Sequence, residues 1–292
     1  MLNHRKHLCG ALLLTSLLIP SFASARQTSP APIRVAVIGG MMYSNLWQTL
    51  SARFEQQHPE YRIEVVAKGQ RPKLAKAMEE GKVDLLTMHS GDITTDLVAN
   101  GHGIHMRPWT RNDLVIWGPK EDPAGIRGMK DGAQALAKIA ASRSPWVDFQ
   151  GVGPREMAHS LWARAGVRPV GDWVLKDDLP GGRGILSQVA DRHAYIITGR
   201  MPVLLGKWTP DPRIEILVDG DPTMRRPYIV METNPHRHPG VNSAGARALA
   251  DFLLSSDTQR FLLSYDGSVK DGRPLFYPVW PQCKSRQTAW CH

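Results

Sequence analysis

Apolar positions along this chain change their spacing repeatedly, and each change marks an element. Ile33 to Ile38 is a short, nearly continuous apolar run, the signature of a strand buried on both faces. From Leu46 the period lengthens. Leu46, Leu50 and Phe54 share one helical face with Trp47 beside them, while Gln48, Arg53 and Gln56 point outward. Ser44 or Asn45 can cap this helix, and Pro59 follows its end. "YRIEVVAKG" reads as a second strand. "RPKLAKAMEEGK" reads as a helix with Pro72 near its first position and Gly81 closing it. "VDLLTMH" is a third buried strand and "DITTDLVANG" a third helix. This β-α-β-α-β order predicts a parallel sheet wrapped by helices.

Beyond it, "DLVIWGPKEDPAGI" reads as a strand leaving the first unit through Gly118 and Pro119. A second αβ region follows, with helical spacing in "DGAQALAKIAAS" and "PREMAHSLWARAG" and strand character in "AYIIT" and "EILVDG". "RPYIVMETN" crosses back, and "SAGARALADFLLSSDTQRFLLSY" offers two amphipathic helices that can return to the first lobe. The expected architecture is therefore two αβ lobes joined by two hinge strands, around Leu114–Gly118 and Tyr228–Glu232, with a cleft between them. Residues 26–116 and 229–292 would form one lobe and 117–228 the other. A mature chain of this length exceeds the usual single core, which supports two lobes.

The amino terminus changes the compartment. "NHRKH" supplies a basic start, "LCGALLLTSLLIPSF" an apolar centre and Ala23-Ser24-Ala25 a cleavage site, the form of a secretory signal. The apolar run is too short for a membrane crossing, which takes about 20 residues, and Pro20 interrupts it. The expected location is the periplasm. Removing residues 1–25 takes away Arg5 and Lys6 and lowers the net charge of +9 by two. The remaining cations are scattered and no nucleic-acid motif is present, so the charge favours small anions or an anionic surface at most. Of the three cysteines, Cys9 leaves with the signal, and Cys283 and Cys291 are expected to pair in an oxidising compartment.

Parallel sheets bind ligands beyond the carboxyl ends of their strands. Two segments should converge there: Gly39-Gly40-Met41-Met42-Tyr43-Ser44 after the first strand, and His89-Ser90-Gly91-Asp92 after the third. The glycine turn lacks the lysine of a phosphate loop and the G-x-G-x-x-G of a dinucleotide fold. It can present backbone amides to an anion. The alternative is a tight turn with Met41 and Met42 packed inward. "FQGVGPREMAHSLW" has the same form in the second lobe, with Gly151, Gly153, Pro154 and then Arg155, whose guanidinium could face an anion. Thr198-Gly199-Arg200 forms a third strand-end loop. Two histidine pairs, His102/His105 and His236/His238, raise a metal alternative, but each pair sits in a glycine- or proline-rich loop without helical spacing. No G-x-S-x-G elbow marks a hydrolase, and an enzyme is not expected.

The order of "KVDLLTMHSGD", "RNDLVIWGPKEDPAGI", "AYIITGR", "DGDPTMRRPYIVMETNPHRHPGVNSAGARALADFLLS" and "LFYPVW" resembles the extracellular tungstate-binding proteins of ABC transporters, from about Ile33 to Trp280. The resemblance implies a type II periplasmic binding-protein fold that closes on an oxyanion, needs no cofactor, acts as a monomer and delivers to an inner-membrane ABC permease. Together with the strand-end loops read above, it gives expected ligand contacts from Met41, Met42, Tyr43, Ser44, His89, Ser90, Gly153, Arg155, Thr198 and Arg200. The ligand loops depart from the family pattern. The threonine- and serine-rich run after the first strand is replaced by Gly39 to Ser44, with at most one hydroxyl in register. The R-G-D-x-S-G-T-like loop is replaced by Asp148 to Pro154, with Gly153 the match, and T-D-R-G-T keeps Thr198 and Arg200. Lost hydroxyls mean fewer donors for a dehydrated dianion, so the expected ligand shifts toward a bulkier organic anion resting on Met41, Met42 and Trp47. A sensing module of the same fold, without transport, and a metal-handling protein are the alternatives.

Overall fold

In a computed structural model of the chain, the residues described are Met1, 29–177, 184–269 and 271–279. Most of the expected signal segment, and both Cys283 and Cys291, lie outside them. The first unit follows the predicted order: β1 (Ala31–Ile38), α1 (Gly39–Tyr43), α2 (Leu46–Gln57), β2 (Tyr61–Gly69), α3 (Arg71–Glu79), β3 (Leu85–His89) and α4 (Asp92–Ala99). β1 lies between β2 and β3 and runs parallel to both. Leu46, Trp47, Leu50 and Phe54 are buried on the inner face of α2, each worth about 1.5–3 kcal/mol relative to exposure. Gly81 takes a left-handed φ of +64° just past α3, where an L side chain would be strained. One feature differs from expectation: Gly39 and Gly40 themselves open a one-turn helix rather than a plain turn.

The remaining elements are β4 (Gly103–Pro119), α5 (Gly132–Ala141), β5 (Trp146–Asp148), α6 (Val152–Arg164), β6 (Val174–Lys176), α7 (Ile185–Asp191), β7 (Ile196–Gly199), α8 (Met201–Leu204), β8 (Ile214–Val218), β9 (Arg225–Thr233), α9 (Ser243–Leu254) and α10 (Ser256–Ser264). β4 begins well before the "DLVIWG" run. Its first part carries register shifts between Ile104 and Arg107 and between Pro108 and Thr110, which break the alternation that would have announced a strand.

β4 has two sets of partners. Gly103 to Asp113 pairs antiparallel with β9, which in turn pairs with β3. From Leu114 onward β4 pairs instead with β7 and β8. The apolar clusters follow the same division. One unites β1, β3, β9, α2, α3 and α9, while Leu114 and Ile116 enter a second cluster and Val115 and Trp117 a third, on opposite faces of the strand. The molecule is a two-lobed α/β protein of the type II binding-protein class, with β4 and β9 running between the lobes.

Two polar pins fix the frame. Buried Asp84 accepts the Arg34 amide at 2.6 Å and the Asn242 amide at 2.8 Å, and pairs with the Arg34 guanidinium, tying β1, β3 and the start of α9 together. Asn242 also caps α9 by accepting the Gly245 amide. Among the described residues no helix is long and apolar enough to cross a membrane.

Candidate functional site

The carboxyl ends of the parallel strands and the start of α6 face one another across a cleft. Gly39, Gly40 and Tyr43 after β1, Arg71 after β2 and His89 at the end of β3 border a cavity of ≈ 730 Å³ together with Val152, Gly153 and Glu156 of α6. An adjoining cavity of ≈ 470 Å³ shares Gly40, His89, Val152 and Arg226 and adds Asn112, Phe149, Thr198 and Tyr228. Neither α1 nor α6 has a side-chain cap at its amino end. Both therefore turn peptide N–H groups and the positive end of a backbone dipole toward shared space.

The cleft's cations come from positions that the sequence patterns passed over. Arg71 opens α3, Arg226 lies on β9 and Lys207 follows α8. Lys207 Nζ sits 4.6 Å over the exposed Tyr43 ring, a contact that spans the lobes. The Arg226 guanidinium occupies the space a Gly153 side chain would fill: a Cβ there would lie 2.0 Å from Nη1. Arg71 Nη1 likewise lies 2.8 Å from where a Gly91 Cβ would stand. Burial and the like charge of Arg71 lower the Arg226 pKa, and Glu156 opposes that shift. Positive charge at a helix start is unfavourable unless an anion is present to receive it.

His89 is the half-buried neutral member of the site. Its ring stacks on Tyr228 at 4.0 Å, and its Nε2 lies 3.3 Å from Asn112 Oδ1. Burial, helped by Arg226 and Arg71, pushes its pKa down to about 3, so it stays uncharged at neutral pH. Thr198 is fully buried and borders the second cavity, yet its hydroxyl has no hydrogen-bond partner among the described residues. An unpaired buried hydroxyl costs about 1–3 kcal/mol, a cost that a ligand acceptor would relieve.

Of the residues expected from sequence, Tyr43, His89, Gly153 and Thr198 line the cavities. The others lie outside the two cavity linings. Met41 is fully buried in the first lobe's core, where its sulfur takes the Thr87 hydroxyl at 3.8 Å, and Met42 packs against that core. Trp47 is equally buried, so the apolar wall is built instead from Val152, Phe149, Met201 and Pro202. Ser44 is buried, donates to the Met41 carbonyl at 3.1 Å and accepts the Leu46 amide, so its hydroxyl serves the α1–α2 junction. Ser90 Oγ lies 3.5 Å from the Pro227 carbonyl. Arg155 is exposed, 3.8 Å from Asp148, and borders neither cavity. Arg200 is fully buried: Nε donates to Asp113 at 3.1 Å, Nη2 to the Pro274 carbonyl at 2.6 Å, and Nη1 pairs with Asp271. It is a strut tying the end of β7 to β4 and the C-terminal segment.

The histidines bring one surprise. His102 and His238, one from each sequence pair, meet with Nδ1 and Nε2 3.1 Å apart and rings stacked at 5.3 Å. Burial and the neighbouring His102 lower the His238 pKa. Two imidazoles fall short of a metal's usual ligand count, and among the described residues no group of three or more potential ligands is present.

Residues 33–265 match the family described as bacterial extracellular solute-binding protein. The tungstate-binding protein TupA of Peptoclostridium acidaminophilum is 30% identical over 227 residues, covering 75% of this chain and 75% of that protein. The solved structure of the tungstate-binding protein TupA from Desulfovibrio alaskensis superposes with a TM-score of 0.73 at 26% identity, covering 85% of this chain and 99% of that one. The crystal structure of the tungstate ABC transporter from Geobacter sulfurreducens gives 0.66 at 27% identity, covering 80% of this chain and 98% of that one. With a family match over most of its length, and a fold that superposes on these solved structures, the chain belongs to the bacterial extracellular solute-binding proteins.

Proposed function

We propose that this protein captures an anion in the cleft between its lobes and presents it to an ABC permease in the inner membrane. The reading rests above all on one observation: uncapped helix starts from both lobes border the same cavity as Arg71, Lys207 and Arg226. The relatives named for tungstate binding support the same reading. The protein works in the periplasm as a monomer, delivered there by its amino-terminal signal. It binds without catalysing a reaction and needs no cofactor. Capture proceeds by lobe closure. We take the lobes to meet near Asp113/Leu114 and Met224/Arg225, a reading supported by the change of partners along β4 and the start of β9.

The contacts to the anion come from the peptide N–H groups around Gly39–Gly40 and Val152–Gly153, from Thr198, and from the cleft cations, with Tyr43 and His89 shaping the pocket. A cavity of ≈ 730 Å³ falls in the size range of small organic ligands, about 300–1,000 Å³. A thermal-shift screen against tungstate, molybdate, sulfate, phosphate and small carboxylates tests the reading. Ligand at a hundredfold excess over Kd stabilises the folded state by about 2.7 kcal/mol, so at least one anion raises the melting temperature. No shift with any of them would refute anion capture.

A further inference from the structure

The Glu156 carboxylate, reaching across the cleft from the second lobe, is divided between two arginines that face it from the other side. Its Oε1 lies 3.4 Å from Arg71 Nη2, on the first lobe, and its Oε2 lies 3.0 Å from Arg226 Nη2, on the crossing strand β9. Glu156 itself belongs to α6 of the second lobe, one turn beyond Val152. Both guanidinium heads lie over glycines, Gly91 and Gly153, where any side chain would collide with them. The like charge of Arg71 adds to the cost of burying Arg226, and the Glu156 carboxylate set between the two guanidinium groups offsets it. Half the side chain of Glu156 remains exposed, so it is free to swing outward.

We infer that Arg71 and Arg226 are the pair that grips the ligand's anionic group, that the group is a carboxylate of an organic anion, and that Glu156 holds its place until the ligand displaces it. The inference rests on the anion-capture reading above and names its ligand class and selecting residues. A planar carboxylate matches because each of its oxygens serves one guanidinium, as the Glu156 oxygens do here. The ligand's apolar part then lies on Val152 and Phe149. Glu156 acts as an internal competitor, lowering apparent affinity by the fraction of molecules in which it occupies the arginines.

Calorimetric titration of the purified protein with benzoate, succinate and tungstate tests this, using wild type and the variants Glu156→Gln, Arg226→Gln and Arg71→Gln. Removing the competing charge tightens carboxylate binding by about three- to tenfold in Glu156→Gln. Losing either arginine weakens it by about tenfold or more. If Arg226→Gln fails to fold, Arg71→Gln, at the more exposed start of α3, carries the test. Carboxylate binding that none of the variants alters would overturn the arginine pair and leave anion capture standing. Tungstate bound more tightly than both carboxylates by wild type would overturn the carboxylate assignment alone. Binding of no probe by wild type or by Glu156→Gln would overturn both.

Discussion

Gly40 and Gly153 hold corresponding places at the two helix starts that border the cleft, yet a side chain would meet different surroundings at each. A Cβ on Gly40 would approach only the Tyr228 hydroxyl, at 3.4 Å, whereas one on Gly153 would strike the Arg226 guanidinium. The first lobe keeps an open start whose nearby hydroxyl, Ser44, is committed to the local backbone. The second lobe's start is covered by a cation supplied from another strand. Arg155 and Arg200, both in the second lobe, differ as sharply: one is an exposed residue beside Asp148, the other a buried strut among Asp113, Asp271 and Pro274. A glycine-rich strand-to-helix turn thus marks where an anion can approach, while the source of its countercharge is set by tertiary packing.

The arginines give the largest separation. Arg200→Ala removes one partner of a buried ion pair and should cost about 3–5 kcal/mol in urea unfolding, because Asp113 loses its cation inside the protein. Arg155→Ala should stay within about 0.5 kcal/mol of wild type. Similar losses in the two variants would erase the distinction between strut and surface residue.

The glycines come next. Gly153→Ala pushes against Arg226 and should cost about 1–3 kcal/mol of stability, with weaker anion binding because the guanidinium is displaced. Gly40→Ala should cost less than about 1 kcal/mol. Thermal melts and titrations of the two variants side by side make the comparison, and equal responses would remove it.

Acid stability separates His89 from the exposed residues of the cleft. Its folded pKa is depressed to about 3 from an ordinary 6.5, so the unfolded chain binds more protons between those values. The stabilisation that comes from keeping it neutral is complete above pH 6.5 and declines as pH falls toward 3. The loss should be about 1 kcal/mol between pH 6.5 and 5.5, measured by urea unfolding. His89→Gln should flatten that part of the profile, and an unchanged slope would show that another group titrates there.

The smallest effect belongs to Ser44. Ser44→Ala should cost roughly 0.5–1 kcal/mol at the junction of α1 and α2 and leave anion affinity unchanged. A large affinity loss with little destabilisation would return its hydroxyl to the ligand.

The sequence made the first lobe legible because its elements obey simple periods. β2 runs from Tyr61 to Gly69 as its pattern suggests, and α3 begins beside Pro72 and ends at Glu80–Gly81. The short β5 and β6 went unseen, since three residues each are too few to establish a period. The site was half legible. Strand-end glycines and Thr198 lie along the cleft because topology fixes where strand ends converge. Arg71 was hidden behind the helix-start signal of Pro72, and Arg226 within a run whose pattern announced only a crossing strand. Alternation along β9, which sets Arg226 and Tyr228 on one face with Tyr228 against His89, was the available signal. Arg200 could not be told from a ligand contact because its burial depends on Asp271 and Pro274, far along the chain.

Amide hydrogen exchange, with and without saturating benzoate, asks most directly whether one anion is held by both lobes. Protection should rise together in the segments 39–43 and 151–156, with little change over the Arg200 strut. Protection confined to one of the two helix starts, or appearing only outside the cleft, would contradict capture between them.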